Sequence, residues 1–420
     1  MSQDDLQRSG FKQRTRIEEA RGRLLDAVSP HDRTERVSLA SADGRTVASE
    51  VTAPNPVPGY DRAAMDGYAV RAEDTFGASD RSPNLLREGE SVGPETAVRV
   101  HTGSELPKGA DAVVMIEQVA EREARSASER SSGDAARELE ISDAVAEGEN
   151  VGPVGEDVAE DQTLYEPGHR IRPSDLGLLK SVGLNEVEVR ERPTVAVIPT
   201  GEELVQADPQ PGEVIETNAL TVSRFVDRWG GRPTYREIVT DDREALRAAI
   251  QRDLTKDLIV TTGGSSVGER DLIPEVVEEI GEVLVHGVAL KPGHPVALGV
   301  VEDTPVLMLP GYPVACIVNA VQFLRPALKK AGGMPCEDHP TTEATLERKI
   351  RSEPGIRTFA RVKLDRGENG GEPTALPTRV SGSGVLSSVA LADGWVVVPE
   401  EREGIAEGER VAVENWEWSP

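Results

Sequence analysis

Cysteine is nearly absent from this chain: Cys316 and Cys336 are the only two among 420 residues. Two thiols build no disulfide framework, and their spacing matches no metal-ligand pattern. Long apolar runs are also missing. No stretch approaches the roughly 18 residues a membrane-spanning helix needs, and the polar start MSQDDLQRSGFKQRTRIEEA has no signal-like apolar core. These absences predict a cytoplasmic protein. Aromatic residues make up only 3% and hydrophobic residues 37%, so the cores must be built mostly from Val, Ile, Leu and Ala. Lysine is scarce as well, nine against 38 arginines.

What the chain has in excess is carboxylate. There are 74 Asp and Glu against 47 Lys and Arg, for a formal charge of −27. Such a polyanion is repelled by nucleic acid and by anionic membranes, so neither is an expected partner. Any phosphate-bearing ligand must be held locally, by backbone N–H groups, a few cations or a metal. Excess carboxylate, little lysine and few large hydrophobes together predict a protein of concentrated salt, where the short Debye length screens self-repulsion. An acidic surface without that habitat is the plainer alternative.

A length of 420 residues predicts about three domains, give or take one. Helical periodicity opens near Ile17 and runs through Val28. The Pro/Gly-rich segment Ala53–Val70 cannot be a regular helix. β-like runs follow at Ala97–Val100 and Asp111–Val119, giving an irregular, mostly-β second region. Residues 121–139 are charged and Ser/Ala-rich, and read as a mobile surface insertion between two strands. From Arg192 the pattern becomes strand, Gly turn, helix, repeated three times. That predicts a central parallel α/β sheet, with ligands outside the carboxyl ends of its strands. Beyond Cys336, alternating β segments predict a C-terminal β-barrel. The fold class is multidomain α/β plus β.

The turns carry the candidate chemistry. Thr261–Gly268 reads TTGGSSVG after a strand. Its amides, with hydroxyls from Thr262, Ser265 and Ser266, can wrap a phosphate. It is neither a Walker A loop nor a GxGxxG fingerprint, and a simple tight turn explains it as well. Asp271, just beyond, can hold a divalent metal or cap a helix. Lys291 stands in the rigid turn LKPGHP, placed either to meet an anion or simply to face solvent. One of Asp241 and Asp242 is expected to cap a helix, leaving the other for a ligand. Glu202 and Glu203 follow the Pro199–Gly201 turn at the sheet edge. Asp61, Asp66, Thr102 and Gly103 lie in segments to which composition assigns no role.

Taken in order, DRAAMDGYAVR, TGSELPKGADAVVMIE, PTGEEL, IVTDDREAL, VTTGGSSVGERD, VALKPGHP, LPGYPVA and SGSGVLSS resemble the molybdopterin molybdenumtransferase family, which includes bacterial MoeA and the E domain of gephyrin-type proteins. The resemblance covers nearly the whole chain outside Glu121–Leu139. It implies a homodimer of four parts. Residues 1–53 and 152–188 would form the first and 54–151 the second. Residues 189–338 would be an α/β domain like that of the pathway's adenylyltransferases, and 339–420 a barrel.

The implied activity is insertion of molybdate into adenylylated molybdopterin, with Mg²⁺-assisted release of AMP. Position by position, the resemblance implies active-site and metal roles for Asp271, Asp241 and Glu203, and an anion role for Lys291. It implies completion of the cleft by Asp66 and Thr102 from the partner subunit, and oxyanion contacts from Arg357 and Ser388. Thr200, Gly201, Thr262, Gly263, Gly264, Ser265, Ser266, Gly268, Pro292, Gly293 and Gly311 would line the substrate site. Other proteins of molybdenum cofactor biosynthesis are implied partners, and a halophilic archaeon the source.

Three motifs depart from the family. KPGKP reads KPGHP with His294, PGNPVS reads PGYPVA with Tyr312 and Ala315, and SGGVSVG reads TGGSSVG. The first two bear on the oxyanion pocket and leave molybdate and tungstate both open. The rival activities are adenylyl transfer and non-catalytic scaffolding.

Overall fold

The structure is a computed structural model that describes residues 14–122, 137–263, 272–367, 371–379 and 384–418. At its centre lies a six-stranded sheet. Its strands are β1 (Thr194–Pro199), β2 (Arg232–Tyr235), β3 (Leu258–Thr262), β4 (Glu282–His286), β5 (Ala297–Val301) and β6 (Thr304–Leu309), in spatial order β2-β1-β3-β6-β5-β4. The neighbours from β2 to β6 run parallel. β5 does not: it is antiparallel to both β6 and β4. The expectation of a purely parallel sheet is therefore corrected. The physical reason is local. Only Glu302 and Asp303 separate β5 from β6, and Glu302 takes φ +54°. A two-residue loop closes a hairpin, whereas a parallel return needs a long crossover.

β1, β3 and β6 carry unbroken apolar runs because helices cover both faces. One face packs on the helices Asn218–Arg228 and Pro313–Asn319, the other on Arg243–Arg252 and Leu272–Ile280. The N-terminal helix Ile17–Ala27 buries Ile17, Ala20 and Leu24 in the first of these cores. It thus packs on the α/β body. The strand that follows, Thr34–Ser38, pairs instead with Glu186–Arg190, and Val51–Thr52 pairs with Thr163–Tyr165.

Residues 54–151 contribute a second six-stranded sheet built around Gly67–Val70. A Cβ on Gly67 would lie 1.9 Å from the Val114 carbonyl oxygen, so the strand tolerates nothing larger there. The insertion expected at 121–139 begins and ends in paired strands, Val119–Arg122 with Glu138–Ile141. Residues 123–136 lie outside those described.

The C-terminal strands Thr341–Leu346, Arg357–Asp365, Thr374–Arg379, Gly394–Val398 and Arg410–Glu414 pair around a closed ring of five. The scarce aromatics gather where this barrel meets the α/β body. Trp395 stacks on Trp416 at 4.5 Å and meets Phe359 edge-on at 5.2 Å. Such pairs contribute about 0.5–1.5 kcal/mol each beyond their buried area. No helix among the described residues is long and apolar enough to cross a membrane.

Candidate active site

The parallel strands end in a laced crest. The Thr200 N–H donates to Thr262 O at 3.2 Å, Gly201 N–H to Val239 O at 3.1 Å, and Gly263 N–H to Leu309 O at 3.1 Å. Gly263 sits at φ +124°, and a Cβ there would lie 2.1 Å from the Thr200 carbonyl oxygen. Only glycine fits. A Cβ on Gly311 would come within 3.4 Å of Gly263 Cα, so two of the glycine turns touch. Thr200, Thr262, Gly263 and Gly311 are thereby brought together, as expected of a sheet whose ligand lies beyond its carboxyl edge. The hydroxyls of Thr200, Thr261 and Thr262 are buried with no hydrogen-bond partner among the described residues. Buried hydroxyls without partners are costly, and at this edge they are groups an anionic ligand can satisfy. Gly264, Ser265, Ser266, Gly268 and Asp271 lie outside the described residues.

Two carboxylates flank the crest. Asp242 is the helix cap, accepting the Ala245 N–H at 2.9 Å, which leaves Asp241 for the site. Burial and then the negative charge of Glu203 push the Asp241 carboxyl above its ordinary value, while the Glu202 N–H draws it back. Glu203 also faces Gly201, where a Cβ would meet its carboxylate at 2.8 Å. Asn218, which the sequence reading missed, donates from Nδ2 to Gly311 O at 2.6 Å and pins the third turn.

Hard carboxylate oxygens of this kind suit Mg²⁺, which is commonly held by one or two carboxylates plus substrate phosphates. Among the described residues, no three Asp, Glu, His or Cys side chains form a metal centre by themselves. Glu203 and Asp241 fit the two-carboxylate arrangement.

Lys291 lies at the same end of the sheet, because β5 starts just beyond its turn. A Cβ on Gly293 would meet Asn319 Nδ2 at 2.2 Å, so Lys291–Gly293 leans closely on the helix after Gly311. Leu290 and Lys291 also add a short parallel pair to the barrel strand, opposite Arg357 and Thr358. The two expected anion ligands are therefore neighbours, yet both are engaged. Lys291 Nζ donates to Glu353 at 2.9 Å. Arg357 binds Glu400 at 2.9 Å and Glu18 at 2.5 Å. His294 does not restore the lysine it replaces. Burial, then Arg14 and Lys291, hold its imidazole below the ordinary value.

A different arginine is better placed beside Ser388. Arg361 is 1% exposed, its guanidinium 3.4 Å from both Phe359 O and Ser388 Oγ, with Nε unpartnered. No carboxylate among the described residues pairs with it, and burial lowers its affinity for its proton. Ser388 Oγ donates to Val385 O at 2.7 Å. Sequence reasoning passed over Arg361, although a charge inside the apolar run FARV was the available signal.

Asp66 and Thr102 form a separate pair on the second sheet. Asp66 Oδ1 accepts from the Thr102 N–H at 2.6 Å and hydroxyl at 2.8 Å. These two bonds hold its carboxyl below the usual range. No hydrogen bond or ion pair among the described residues links this pair to the crest.

Comparison with known proteins settles the relationship. The chain matches the MoeA N-terminal region (domain I and II) over residues 15–183, a probable molybdopterin binding domain over 196–330, and the MoeA C-terminal region (domain IV) over 343–416. It is 35% identical to a putative molybdopterin biosynthesis protein of Methanocaldococcus jannaschii, over 93% of this chain and 94% of that one. The chain belongs to the MoeA family. A MoeA relative named molybdopterin molybdenumtransferase, from Bacillus subtilis, is 32% identical over 92% of each chain. The crystal structure of a Pyrococcus horikoshii MoeA protein superposes with TM-score 0.81 at 34% identity, covering 97% of this chain and 100% of that one. Within this MoeA fold, Tyr312 follows the Gly311 turn and stands 58% exposed.

Proposed function

We propose that this MoeA-family protein inserts molybdate into the dithiolene of adenylylated molybdopterin and releases AMP. The observation that carries the reading is the crest at the carboxyl edge of the sheet. Close-packed glycine turns and unpartnered threonine hydroxyls stand there beside two carboxylates. The unpartnered threonine hydroxyls of the crest bind the phosphate groups, and Gly263 keeps the backbone close to them. Glu203 and Asp241 hold Mg²⁺, with Asp271 as the third carboxylate. When bound, that ion supplies positive charge where phosphate oxygens gain negative charge. Adenylyl-transfer enzymes of the same pathway would share this α/β scaffold.

Arg361 and Ser388 are the proposed seat of the oxyanion. A buried guanidinium without a carboxylate has its charge available, whereas Arg357 spends its own on Glu18 and Glu400. Lys291 serves the same anion once Glu353 releases it. No hydrogen bond or ion pair among the described residues joins Asp66 and Thr102 to the crest, which favours a homodimer in which the partner subunit supplies them. A cytoplasmic, salt-adapted setting and handover from other cofactor-biosynthesis proteins complete the proposal.

The test is AMP release from adenylylated molybdopterin, with molybdate or tungstate, with and without Mg²⁺. Metal-dependent AMP release is expected. No release with either oxyanion would overturn the reading.

A further inference from the structure

Arginine gathers at one junction of this acidic molecule. Gly44–Thr46 and Arg190–Arg192 meet Gly230, Gly332 and Met334 around a small cavity of about 20 Å³. That is room for a small particle the size of a water or a monatomic ion. Three arginines line it, Arg45, Arg190 and Arg192, against one acidic residue, Glu191. Glu191 is turned toward Arg33, whose Nε it accepts at 3.1 Å. Arg45 is committed to Glu35 at 2.6 Å, and Arg192 stands 3.8 Å from Asp227.

Arg190 is different. Its Nη1 donates to the backbone oxygen of His31 at 3.2 Å, and its Nε is buried with no acceptor among the described residues. The group lies against the main chain of Gly333, where a Cβ would come within 2.7 Å of Nε. Further positive charge stands on the adjoining helix Arg325–Ala331. Arg325 and Lys329 are each 5% exposed, and Arg325 Nη2 reaches only a backbone oxygen, that of Glu337. Burial, then Arg170 and Arg325, push the Lys329 ammonium down to about 8. Cys336 and Glu337 oppose that shift only in part.

Buried cations need a counter-charge. In a chain with net charge −27, such a local excess of positive charge is a well for a small anion. We propose that the cavity among Arg45, Arg190 and Arg192 is a chloride site that ties the 44–46 and 190–192 segments to the α/β body. Chloride accepts N–H groups from several directions and needs no donor in return. Because the unfolded chain lacks the cavity, bound chloride stabilises the fold by mass action, in addition to any general screening by salt.

The test compares melting of the full chain in potassium chloride and in potassium acetate at equal ionic strength, with the variants R190Q and R192Q alongside. The wild type should show a rise in Tm that saturates with chloride. R190Q should lose that rise while keeping the response common to both salts. Bromide-soaked crystals should give an anomalous peak in the cavity. The proposal is overturned if the difference in Tm between wild type and variant is the same in both salts. A bromide peak without a saturable shift means an adventitious ion only, and also overturns it. Should R190Q not fold, R192Q decides, because Arg192 also lines the cavity and its side chain is more exposed.

Discussion

Asp175 and Asp241 are the same residue in opposite surroundings. Asp175 caps the helix Pro173–Ser181 and accepts from His169 Nε2 at 2.7 Å and from Arg172 N, Nε and Nη2 at 2.9–3.2 Å. Although burial alone would raise it, bonds from Arg172 and His169 hold its carboxyl far below the usual range. Asp241 has one amide for company, and a neighbouring carboxylate pushes it the other way. A satisfied carboxylate stabilises the fold. An unsatisfied one next to glycine turns stores a cost that a bound cation would relieve. The difference separates the scaffold from the site.

Substitution sharpens this contrast. Asp241→Asn should reduce AMP release about 100-fold or more, the scale on which removing one electrostatic contact to a transition state acts. The same variant should melt no lower than the wild type, because a like-charge repulsion has been removed. Steady-state assay and calorimetry on one preparation check both statements. Unaltered turnover would return Asp241 to the scaffold.

Asp175→Asn should do the reverse. It loses charge-assisted bonds worth about 2 kcal/mol of stability, with turnover per folded molecule unchanged, as denaturant unfolding and active-site titration would show. Gly263→Ala should follow at about 1–3 kcal/mol, from its positive φ and the contact with Thr200, and here activity should fall together with stability.

The smallest effect is the pH dependence. Asp175 titrates lower in the folded chain, so its contribution is complete above about pH 3.9 and fades as pH falls through the folded value. Asp241 titrates higher when folded, so its contribution is present at low pH and disappears as pH rises through that raised value. Comparing unfolding curves of the two Asn variants across pH 3–7 should show slopes of opposite sign. Slopes of the same sign would break the comparison.

Much of the site was legible in the sequence because it is made of local motifs. Glycine turns after apolar strands announce where a sheet ends, and the turns at Gly201, Gly263 and Gly311 do lie at the carboxyl edge of the sheet. Asp241 and Asp242 were distinguished only as a pair, since which one caps the helix depends on three-dimensional aim. What stayed hidden was long-range. Glu18 and Glu400 engage Arg357 from distant parts of the chain, and no spacing predicts that. That Arg361 meets no carboxylate among the described residues was hidden for the same kind of reason. The antiparallel β5 was hidden by its composition, since a buried strand looks alike in either direction. The N-terminal helix gave its apolar stripe but not the surface that covers it.

The most direct test of the account sets wild type and Asp241→Asn side by side on adenylylated molybdopterin, with molybdate and Mg²⁺, measuring AMP. The account predicts AMP release by the wild type that requires both molybdate and Mg²⁺, and almost none by an equally stable variant. AMP release by the variant at the wild-type rate, or none by the wild type with molybdate or tungstate, would contradict it.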